Sequence, residues 1–556
     1  MSELKFIAIS GTTGVTENLY VYEYGNDIIV LDCGVGFPEE ATYGVDLIIP
    51  DFSYLIKNKN KIRGVFISHG HEDHFGAIPF FFDQVGDFPV YASRLVAAFV
   101  KEKLDDYKIR GKNISIIDPD GEGVWAGAFR VDAFRVTHSV PDSLGFCITT
   151  PVGKFFHVSD YKFDWTPVDG KQFDLAKAAQ LAKGGVVALA SDSLGATSEG
   201  YTKSEKEIEQ NIEVIMEGAK GAVFFTTISS NISRIQQAIN ISKRLGRKVV
   251  FVGRSIDKKA EIAKSLGFLN NEDVVVSHKA ARSLPGGRVT YIISGTYGQV
   301  GSALYRVAQG EHEFLKVKEG DVVIFSSDPA PPGTEQTVNF VVDRLIEKGT
   351  EVHYYDTQED LHVSGHGSQK EIEMLFALVR PRYFLPIGGT IRHMRGYKTL
   401  AGRMGFDTAK VFELVSGESV EFGDKGALRG KKIPVRDILV DGLGVGDVGE
   451  VVLSDRKLLA KEGILVVALR VDKTSGRILE KPRIISRGFV FAKKQQGFLD
   501  RVSEKVFNEL GKREFKTGDI KGDFGLLRDA VVGFLEEYLF TETGRRPMIL
   551  PVVVEV

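Results

Sequence analysis

The stretch VFISHGHEDHFG, residues 65–76, places three histidines and two acids within six consecutive positions after an apolar run. The whole chain has 11 histidines among 556 residues, so this density does not follow from composition. The preceding residues KIRGVFIS are rich in β-branched and aromatic side chains, and they predict a short buried strand that ends at Ser68. The histidines and acids therefore follow a strand end, where loops on a rigid scaffold commonly carry functional side chains.

Two pairs of potential metal ligands lie in this loop. His69 and His71 alternate along the chain and can face one point, while Asp73 and His74 face a second point beside it. Neutral imidazole and carboxylate suit zinc at about 2.0–2.2 Å, and paired ions roughly 3.5–4 Å apart are used to hydrolyse phosphodiesters. A polar surface loop rich in histidine is the simpler interpretation, but it does not account for the HxHxDH spacing directly after a strand.

Further candidate ligands follow other predicted strands. His138 comes after the alternating strand of FRVTHSVPDS, and Asp160 comes after the strand of GKFFHVSDYKFD, where its carboxylate can bridge two ions. Asp32, which ends the strand of DIIVLDCGVGF, is expected to order the loop beneath the ions rather than to bind one. Each residue alone would be an ordinary loop residue, and only the set of strand ends predicts a dinuclear site.

The composition restricts both the location and the ligands. Lys and Arg number 71 and Asp and Glu 74, a net charge of −3, so a polyanionic partner must be met by a local positive potential. There is no uncharged apolar run of about 18 residues, and MSELKFIAIS lacks the segments of a secretory signal, which predicts a cytoplasmic protein that does not bind membranes. Cys33 and Cys147 are too few for a disulfide framework or a thiolate zinc site. Any metal must therefore be held by histidine and carboxylate.

The order of the segments LDCG, HGHEDH, THS and HVSD resembles the metallo-β-lactamase superfamily. Beyond these, SDSLGATSEGYTKSE, NISRIQQAI, HVSGHGSQ and the ending RRPMILPVVVEV are similar to the ribonuclease J family of its β-CASP branch, from about residue 5 to the C terminus. This resemblance implies an α/β protein, with an αββα metallo-β-lactamase sandwich, an inserted α/β β-CASP domain and a small C-terminal α/β domain. The specificity of the segments disfavours a β-lactamase or glyoxalase.

The domain limits expected from this resemblance are the following: the sandwich at 1–206 and 366–430, the β-CASP domain at 207–365, a linker at 431–460 and the C-terminal domain at 461–556. Strand-like and helix-like segments alternate through the β-CASP range, which predicts a largely parallel sheet covered by helices. The GVGDVG at 444–449 is discounted as a dinucleotide site, because the following EVVLSD is interpreted as a strand, whereas the fingerprint requires a helix.

The resemblance also implies two zinc ions and divides their ligands. The first ion would be held by His69, His71 and His138, the second by Asp73 and His74, with Asp160 bridging both. The expected catalytic set is Asp73, Asp192 in ALASDSLGA and His366 in HVSGHGSQ.

Phosphate and RNA contacts are assigned in the same way. The segment HVSGHGSQ would cradle the phosphate of an RNA 5′ end through Ser364, Gly365, His366 and Gly367. Backbone amides of a glycine-rich turn are good anion ligands, so the physical expectation agrees. Arg254, at a predicted strand end in VGRSIDKK, is a candidate contact to the RNA backbone.

One position departs from the family pattern. The family carries a last histidine in a segment similar to PxHGExRH, but this chain reads YFLPIGGTIRHM, with Gly388 in the place of the histidine and Thr390 in the place of the acid. The second ion therefore lacks an expected ligand. Water or a swung His393 could complete its shell, or the site could bind weakly or take manganese or magnesium instead of zinc.

The implied activity is metal-dependent hydrolysis of single-stranded RNA in RNA decay and maturation, including ribosomal RNA processing. The expected modes are 5′ to 3′ exonuclease on 5′-monophosphorylated ends and endonuclease. The implied partners are single-stranded RNA, a second copy in a homodimer or homotetramer, and a paralogous subunit. Two alternatives remain open: a β-CASP nuclease acting on DNA, and a catalytically weak RNA-binding or scaffold subunit, which Gly388 and Thr390 motivate.

Overall fold

The computed structural model describes residues 3–38, 42, 44–270, 273–327, 333–442, 444–489, 496–515 and 524–556. The chain divides into two compact units, the first formed by residues 1–39 and 47–438 and the second by residues 40–46 and 439–556. Within the described residues, no helix combines the length and apolar character needed to cross a membrane.

The strands of the first unit and the short pair after it are β1 (Leu4–Ser10), β2 (Leu19–Tyr24), β3 (Asp27–Leu31), β4 (Leu47–Ile49), β5 (Ile62–Phe66), β6 (Val90–Ala92), β7 (Ile114–Ile116), β8 (Val124–Ala126), β9 (Phe129–Arg135), β10 (Leu144–Thr150), β11 (Gly153–Val158), β12 (Val186–Asp192), β13 (Val223–Thr226), β14 (Lys248–Val252), β15 (Val289–Ile293), β16 (Val322–Phe325), β17 (Glu351–His353), β18 (Pro381–Ile387), β19 (Ser419–Gly423), β20 (Gly426–Arg429), β21 (Ile438–Asp441) and β22 (Gly444–Val445). Those that follow are β23 (Ile464–Val471), β24 (Arg483–Arg487) and β25 (Met548–Glu555).

The α-helices are α1 (Ser53–Lys57), α2 (Glu72–Phe75), α3 (Ile78–Gln84), α4 (Arg94–Asp106), α5 (Leu175–Ala182), α6 (Glu205–Gly218), α7 (Ile232–Arg244), α8 (Arg254–Ser265), α9 (His278–Ala281), α10 (Ala303–Gln309), α11 (Glu335–Ile346), α12 (Gln369–Val379), α13 (Ile391–Arg403), α14 (Glu450–Glu462), α15 (Gln496–Leu510) and α16 (Gly525–Thr543).

Two sheets pack face to face in the first unit. The first has the order β20-β19-β1-β2-β3-β5-β6-β7 and the second the order β18-β12-β11-β10-β9-β8. Aromatic side chains of both sheets meet in one core, for example Phe66 with Phe146 and Phe155 with Phe422, at ring-centroid distances of 6.1 and 5.1 Å. Full burial of one such phenylalanine is worth about 1.5–3 kcal/mol, so this core is the main force that joins the sheets.

Helices cover both outer faces of this sandwich. On the first sheet, α4 contacts β6 and β7 and buries Leu95 and Phe99. On the second sheet, α12 and α13 pack through Phe376, whose ring lies 4.9 Å from that of Phe384 and 4.7 Å from that of Tyr397. The αββα architecture expected from the sequence is therefore confirmed.

A separate parallel sheet lies between β12 and α12 in the chain. Its order is β14-β15-β13-β16-β17, and all four pairings are parallel. The side chain of Asn231 caps α7, accepting a hydrogen bond from the amide of Arg234 at 3.0 Å, as its place in the sequence predicts. The next helix, α8, begins at Arg254, since Gly253 at φ +114° lets the chain turn directly from β14 into the helix.

The second unit contains the sheet β24-β23-β25, in which β23 and β25 are parallel. Helix α15 packs into its core through Val502, Val506 and Leu510, and α16 does so through Leu527 and Val531. The other face of β25 carries side chains that are roughly half exposed, namely Leu550, Val552 and Val554.

The interpretation of EVVLSD as a strand is wrong. Residues 450–462 form α14, which begins after Gly449 with Glu450 in its first turn and ends at Gly463, φ +77°. The β-branched pair at its start is outweighed by the helix-forming run that follows. The dinucleotide interpretation is still disfavoured, because GVGDVG contains β22 of a short antiparallel pair with β21 instead of opening a parallel βαβ unit. The predicted linker, residues 431–460, thus includes β21, β22 and most of α14.

Candidate metal centre

Three strand ends bring the predicted metal ligands together. The loop after β5 and the start of α2 carry His69, His71, Asp73 and His74, whereas His138 and Asp160 follow β9 and β11 of the facing sheet. One loop thus comes from the first sheet and two come from the second, and the ligands gather at the edge where both sheets end. Potential ligand atoms of these residues lie within 4.8 Å of one another in two groups that share Asp160.

The first group contains three histidines. Nδ1 of His71 lies 3.2 Å from Nε2 of His69 and 3.1 Å from Nε2 of His138. Oδ2 of Asp160 lies 3.5 Å from the same nitrogen of His69 and 3.7 Å from that of His138. Atoms that share an ion at about 2.0–2.2 Å are expected roughly 3.3 Å apart in a tetrahedral shell, so this group fits a zinc-sized divalent ion.

The second group contains Asp73, His74 and Asp160. Nε2 of His74 lies 3.4 Å from Oδ2 of Asp73 and 3.4 Å from Oδ2 of Asp160. The group offers two carboxylates and one imidazole, which fits a divalent ion with oxygen ligands completing its shell. The same oxygen of Asp160 belongs to both groups, as a bridging carboxylate requires.

Partners behind the ligands orient the imidazoles. Nδ1 of His74 lies 2.8 Å from Oδ2 of Asp32, and Nδ1 of His138 lies 2.7 Å from the carbonyl oxygen of Gly365. Asp32 is fully buried and also accepts hydrogen bonds from the amide and hydroxyl of Ser68 at 2.7 and 2.9 Å. These contacts engage Nδ1 of both rings and turn Nε2 toward the ligand groups, and Asp32 contacts the loop that the sequence suggested it would order.

The protonation states suit metal binding. Burial and neighbouring imidazoles hold the pKa of His69 and of His138 well below the usual range, and burial lowers the pKa of His71 to about 4 despite the nearby Asp73. Burial alone would raise the pKa of Asp160, but surrounding histidines, His74 first, keep it well below its usual range. The group of three histidines therefore presents neutral imidazoles and an ionised carboxylate, which are the ligating forms. Burial would lower the pKa of His74, but the carboxylates of Asp160, Asp73 and Asp32 outweigh it and raise that pKa well above its usual range, so this ring must lose a proton when it binds an ion.

A second carboxylate and histidine stand beside the ligands. Nδ1 of His366 lies 2.7 Å from Oδ2 of Asp192, and its Nε2 lies 3.8 Å from Oδ2 of Asp160. Burial would lower the pKa of His366, but the carboxylates of Asp192 and Asp160 outweigh it and raise the pKa to about 9. A protonated imidazole is thereby held at the edge of the metal groups.

The segment predicted to cradle a phosphate is partly engaged with the protein itself. The amide of Gly367 donates to the carbonyl oxygen of Tyr161 at 2.7 Å, and the amide of His366 donates to the hydroxyl oxygen of Ser364 at 3.1 Å. The ring of His366 remains directed toward the centre. A Cβ on Gly365 would lie 2.4 Å from the ring of His138, so the segment needs glycine there to approach the ligands.

Arg254 is not among the ligand groups. It is the first residue of α8 and lines a cavity of about 1290 Å³ that also reaches Glu72, the residue between the ligands His71 and Asp73. The cavity thus has Arg254 and Glu72 on its wall, and Arg254 makes no direct contact with the ligands.

Gly388 stands in the place of the missing histidine with a left-handed backbone that glycine adopts without strain. Gly388 has φ +66°, and its amide donates to the carbonyl oxygen of Gly11 at 2.8 Å. A Cβ there would lie 3.3 Å from Oδ1 of Asp192 and 3.9 Å from Oδ1 of Asp160, so a side chain at this position would emerge beside the ligands.

The position of His393 does not fit the role of substitute ligand for the second ion. Its Nδ1 accepts a hydrogen bond from the amide of Thr390 at 3.1 Å, which makes it the return partner in the capping box of α13. Its Nε2 lies 3.4 Å from Nε of Arg392, and it belongs to neither of the two ligand groups described above. These contacts disfavour His393 as the ligand that replaces the missing histidine of the second ion.

Sequence reasoning missed two buried residues behind the second group. Nδ2 of Asn18 lies 3.1 Å from Nε2 of His74 and donates to the carbonyl oxygen of Asp73 at 3.2 Å. The hydroxyl of Tyr20 lies 2.7 Å from Oδ1 of Asn18 and accepts from the amide of Gly388 at 3.3 Å. The sequence TENLY, residues 16–20, indicates only the start of a strand, and neither its spacing nor its charge predicts a metal site.

Comparisons with known proteins agree with this architecture. Family models match three parts of the chain: a beta-lactamase superfamily domain at residues 28–184, the beta-CASP domain of ribonuclease J at 220–345 and the C-terminal domain of ribonuclease J at 451–556.

Curated relatives match over the full length. Ribonuclease J2 of Bacillus subtilis is 34% identical over 100% of this chain and 99% of its own length, and ribonuclease J of Thermus thermophilus is 37% identical over 99% and 95%. A solved structure from Enterococcus faecalis V583, described as a protein of unknown function, aligns with a TM-score of 0.54 at 14% identity over 76% of this chain and 100% of its own. This last likeness concerns the fold alone.

Proposed function

Because the chain belongs to the ribonuclease J family, we propose that it is a metal-dependent hydrolase of phosphodiester bonds in single-stranded RNA. The proposed modes are 5′ to 3′ exonuclease on 5′-monophosphorylated ends and endonuclease. The observation that carries this proposal is the position of Oδ2 of Asp160, which lies 3.4–3.8 Å from ring nitrogens of four histidines, namely His69, His74, His138 and His366.

The proposed cofactor is a pair of divalent ions, zinc in the group of three histidines and zinc, manganese or magnesium in the group of Asp73 and His74. Bound there, the ions supply the Lewis-acid chemistry that makes water a nucleophile near neutral pH and that neutralises charge on the phosphate. The protein fixes both groups of ligands around Asp160. Asp32 orients the ring of His74, and the carbonyl of Gly365 orients the ring of His138.

His366 is the proposed general acid. Its pKa of about 9 keeps the ring protonated near neutral pH, since the carboxylates of Asp192 and Asp160 outweigh its burial. A proton on Nε2, the nitrogen not bonded to Asp192, can pass to the departing 3′ oxygen. Ser364, Gly365 and Gly367 are proposed to position the 5′ phosphate beside it, and Arg254 to contact the RNA backbone from the cavity.

Self-association is proposed through the second unit. The outer face of β25 presents Leu550, Val552 and Val554, which are 41–48% exposed, a row of apolar side chains that a second copy can cover. Light scattering on the whole chain tests this, and a constant mass of the 61.2 kDa protomer at all concentrations would overturn it. A paralogous subunit, the cytoplasmic location and the domain limits at 206, 365, 430 and 460 remain proposals from the sequence.

The deciding experiment is digestion of a 5′-labelled, 5′-monophosphorylated single-stranded RNA, with metal content measured in parallel. Labelled mononucleotide should be released by the purified chain and not by chelated or Asp73→Ala samples, because Asp73 supplies an oxygen ligand 3.4 Å from Nε2 of His74. Digestion of a single-stranded DNA of the same sequence shows whether the enzyme prefers RNA or DNA. RNA binding without cleavage would overturn the proposal and favour a scaffold subunit. Cleavage of DNA but not of RNA would favour a DNA nuclease.

Restoring the histidine should strengthen the second ion site. Gly388→His would place an imidazole beside Asp160 and Asp192, and we expect affinity for the second ion to rise roughly tenfold or more. The left-handed backbone at φ +66° costs a non-glycine residue about 1–2 kcal/mol, so stability should fall slightly.

Metal content after dialysis against buffered zinc or manganese measures this change. Gly388→Ala is the matched control, because it carries the same backbone strain without an imidazole. Equal metal content in the two variants would mean that a side chain at 388 does not reach the second ion.

A further inference from the structure

The cavity that Arg254 lines opens at the carboxyl ends of parallel strands. Thr227 follows β13, Gly253 follows β14 and Ser294 follows β15, and all three line it. The carboxyl ends of an open parallel sheet are where such folds bind ligands. Its volume of about 1290 Å³ exceeds the roughly 300–1,000 Å³ of ordinary small-molecule sites, so it has room for a segment of a polymer.

One end of the cavity reaches the metal-ligand helix. Glu72 lines it and stands between the ligands His71 and Asp73 at the start of α2. The carboxylate of Glu72 is held by Lys103 at 2.7 Å and lies 3.5 Å from Nζ of Lys259, which comes from α8 below the parallel sheet. One residue of the ligand-bearing helix α2 thus lies on the wall of the cavity, between two of the ligands in the chain.

Three further lining residues, His278, His312 and Phe314, form a cluster with Arg282, which is named here the Phe314 cluster. The ring of Phe314 is 52% exposed, unlike the fully buried phenylalanines of the sandwich. The rings of His278 and His312 lie 5.5 and 6.5 Å from it, and the guanidinium of Arg282 lies 5.4 Å from its centre.

The loop that presents Phe314 is held in place. Nδ1 of His312 accepts hydrogen bonds from the amides of Phe314 and Leu315 at 3.3 and 3.2 Å, and Leu315 is buried. Burial, aided by neighbouring arginines, lowers the pKa of both His278 and His312, so their rings stay uncharged near neutral pH. The cluster is a preformed aromatic surface on the wall of the cavity.

The cations of the cavity fall into two classes. Its lysines are paired with acids, for example Lys103 with Glu72 at 2.7 Å and Lys258 with Asp106 at 2.5 Å. Arg254 and Arg306 are exposed, and neither forms an ion pair with any residue that the structure describes.

Two lining acids, Asp257 and Glu313, also have no lysine or arginine partner among the described residues. These acids offset the charge of the two arginines, so the lining is suited to phosphate by the planar guanidinium groups of Arg254 and Arg306 rather than by an excess of positive charge.

We propose that this cavity binds the RNA on the 3′ side of the scissile bond and that one nucleobase stacks on Phe314. Arg254 and Arg306 bind phosphates of the same RNA segment. The inference rests on the proposed RNA hydrolysis and adds a binding site distant from the reacting atoms. Stacking of a base on an aromatic ring is tolerant of sequence, as a nuclease acting along a strand requires.

The test compares the steady-state constants of the whole chain on 5′-monophosphorylated RNAs of increasing length. Phe314→Ala should raise KM about tenfold for long RNA and leave kcat and the KM for a dinucleotide unchanged, since a dinucleotide does not span the cavity. Phe314→Trp should keep the wild-type KM, and Phe314→Leu should behave like Phe314→Ala, because it retains apolar bulk without a ring.

The chain offers a matched control in Phe340. This side chain is 36% exposed in the same parallel-sheet region and has the guanidinium of Arg344 5.3 Å from its ring, but it does not line the cavity. Phe340→Ala should leave KM unchanged at every length. An equal rise in KM for dinucleotide and long RNA, an unchanged KM in Phe314→Ala, or the same effect in Phe340→Ala would overturn the inference.

A binding measurement separates this inference from the proposed function. Fluorescence anisotropy of a labelled long RNA with chelated protein, in which no cleavage occurs, should show about tenfold weaker binding for Phe314→Ala. Cleavage by the wild type together with equal RNA binding by both proteins would overturn the stacking site and leave the nuclease intact. Absence of both cleavage and RNA binding in the wild type would overturn the two together.

Discussion

An Asp160→Asn variant is expected to lose roughly 1000-fold in kcat/KM on 5′-monophosphorylated RNA, about 4 kcal/mol of transition-state stabilisation. Oδ2 of Asp160 is the one ligand atom common to both metal groups, 3.5 Å from Nε2 of His69 and 3.4 Å from Nε2 of His74. The amide has the same shape but no charge, and its nitrogen is a poor metal ligand. Removing this bridge should weaken both ions at once, whereas loss of a ligand from one group should weaken mainly one.

Metal content distinguishes this cause from misfolding. Asp160→Asn should bind fewer than two ions per chain, with a circular dichroism spectrum like that of the wild type, because the substitution is isosteric. Asp83→Asn, on the exposed side of α3, is the control and should retain full activity and metal. A variant at position 160 that kept both ions and lost only a few-fold in activity would contradict the bridging role.

The second large effect concerns stability. Arg234→Met should lower the free energy of unfolding by about 3–5 kcal/mol, because it leaves a buried carboxylate without its main partner. Arg234 is fully buried on α7 and forms an ion pair with Glu205 at the start of α6. Its Nη1 also donates to the carbonyl oxygen of Leu361 at 3.1 Å, and Lys162 lies 3.3 Å from the other oxygen of Glu205.

A control on the same helix makes the measurement specific. Arg244, at the other end of α7, pairs with Glu209 and Glu213 at 2.8 and 2.7 Å, but its side chain is 45% exposed. Solvent screens this pair, so Arg244→Met should cost no more than about 1 kcal/mol. Urea denaturation followed by fluorescence compares the two variants, and equal midpoints would show that burial does not decide the strength of these pairs.

The pH dependence of this effect has a defined sign. Burial would raise the pKa of Glu205, but Arg234 and Lys162 outweigh it and lower the pKa from 4.5 to about 2. A group whose pKa is depressed by folding stabilises the protein fully above its unfolded pKa and loses that contribution as the pH falls through its folded pKa. The difference in urea midpoint between wild type and Arg234→Met should therefore shrink as the pH falls from about 4.5 to about 2.

Much of the fold and the ligand set could be predicted from the sequence, because their signals are local. A buried strand followed by HGHEDH places four side chains within six residues of one another, so the backbone itself keeps them close. The alternation of strands and helices likewise indicated the inserted parallel sheet, and the structure confirms it. EVVLSD shows the limit of local signals. Its β-branched start favoured a strand, but the helix-forming residues that follow make the whole segment a helix.

The sequence by itself thus determined which residue types stand at the strand ends and which expected histidine Gly388 replaces. Only the tertiary structure decided the partners of those residues, such as the carbonyl of Gly365 that orients His138 across 227 positions and the amide of Asn18 beside His74. It also showed that His393 caps a helix and that Phe314 stands exposed at the cavity that reaches Glu72. The physical reason is that periodicity and propensity act over a few neighbouring residues, whereas these contacts depend on how separate sheets and helices pack against one another.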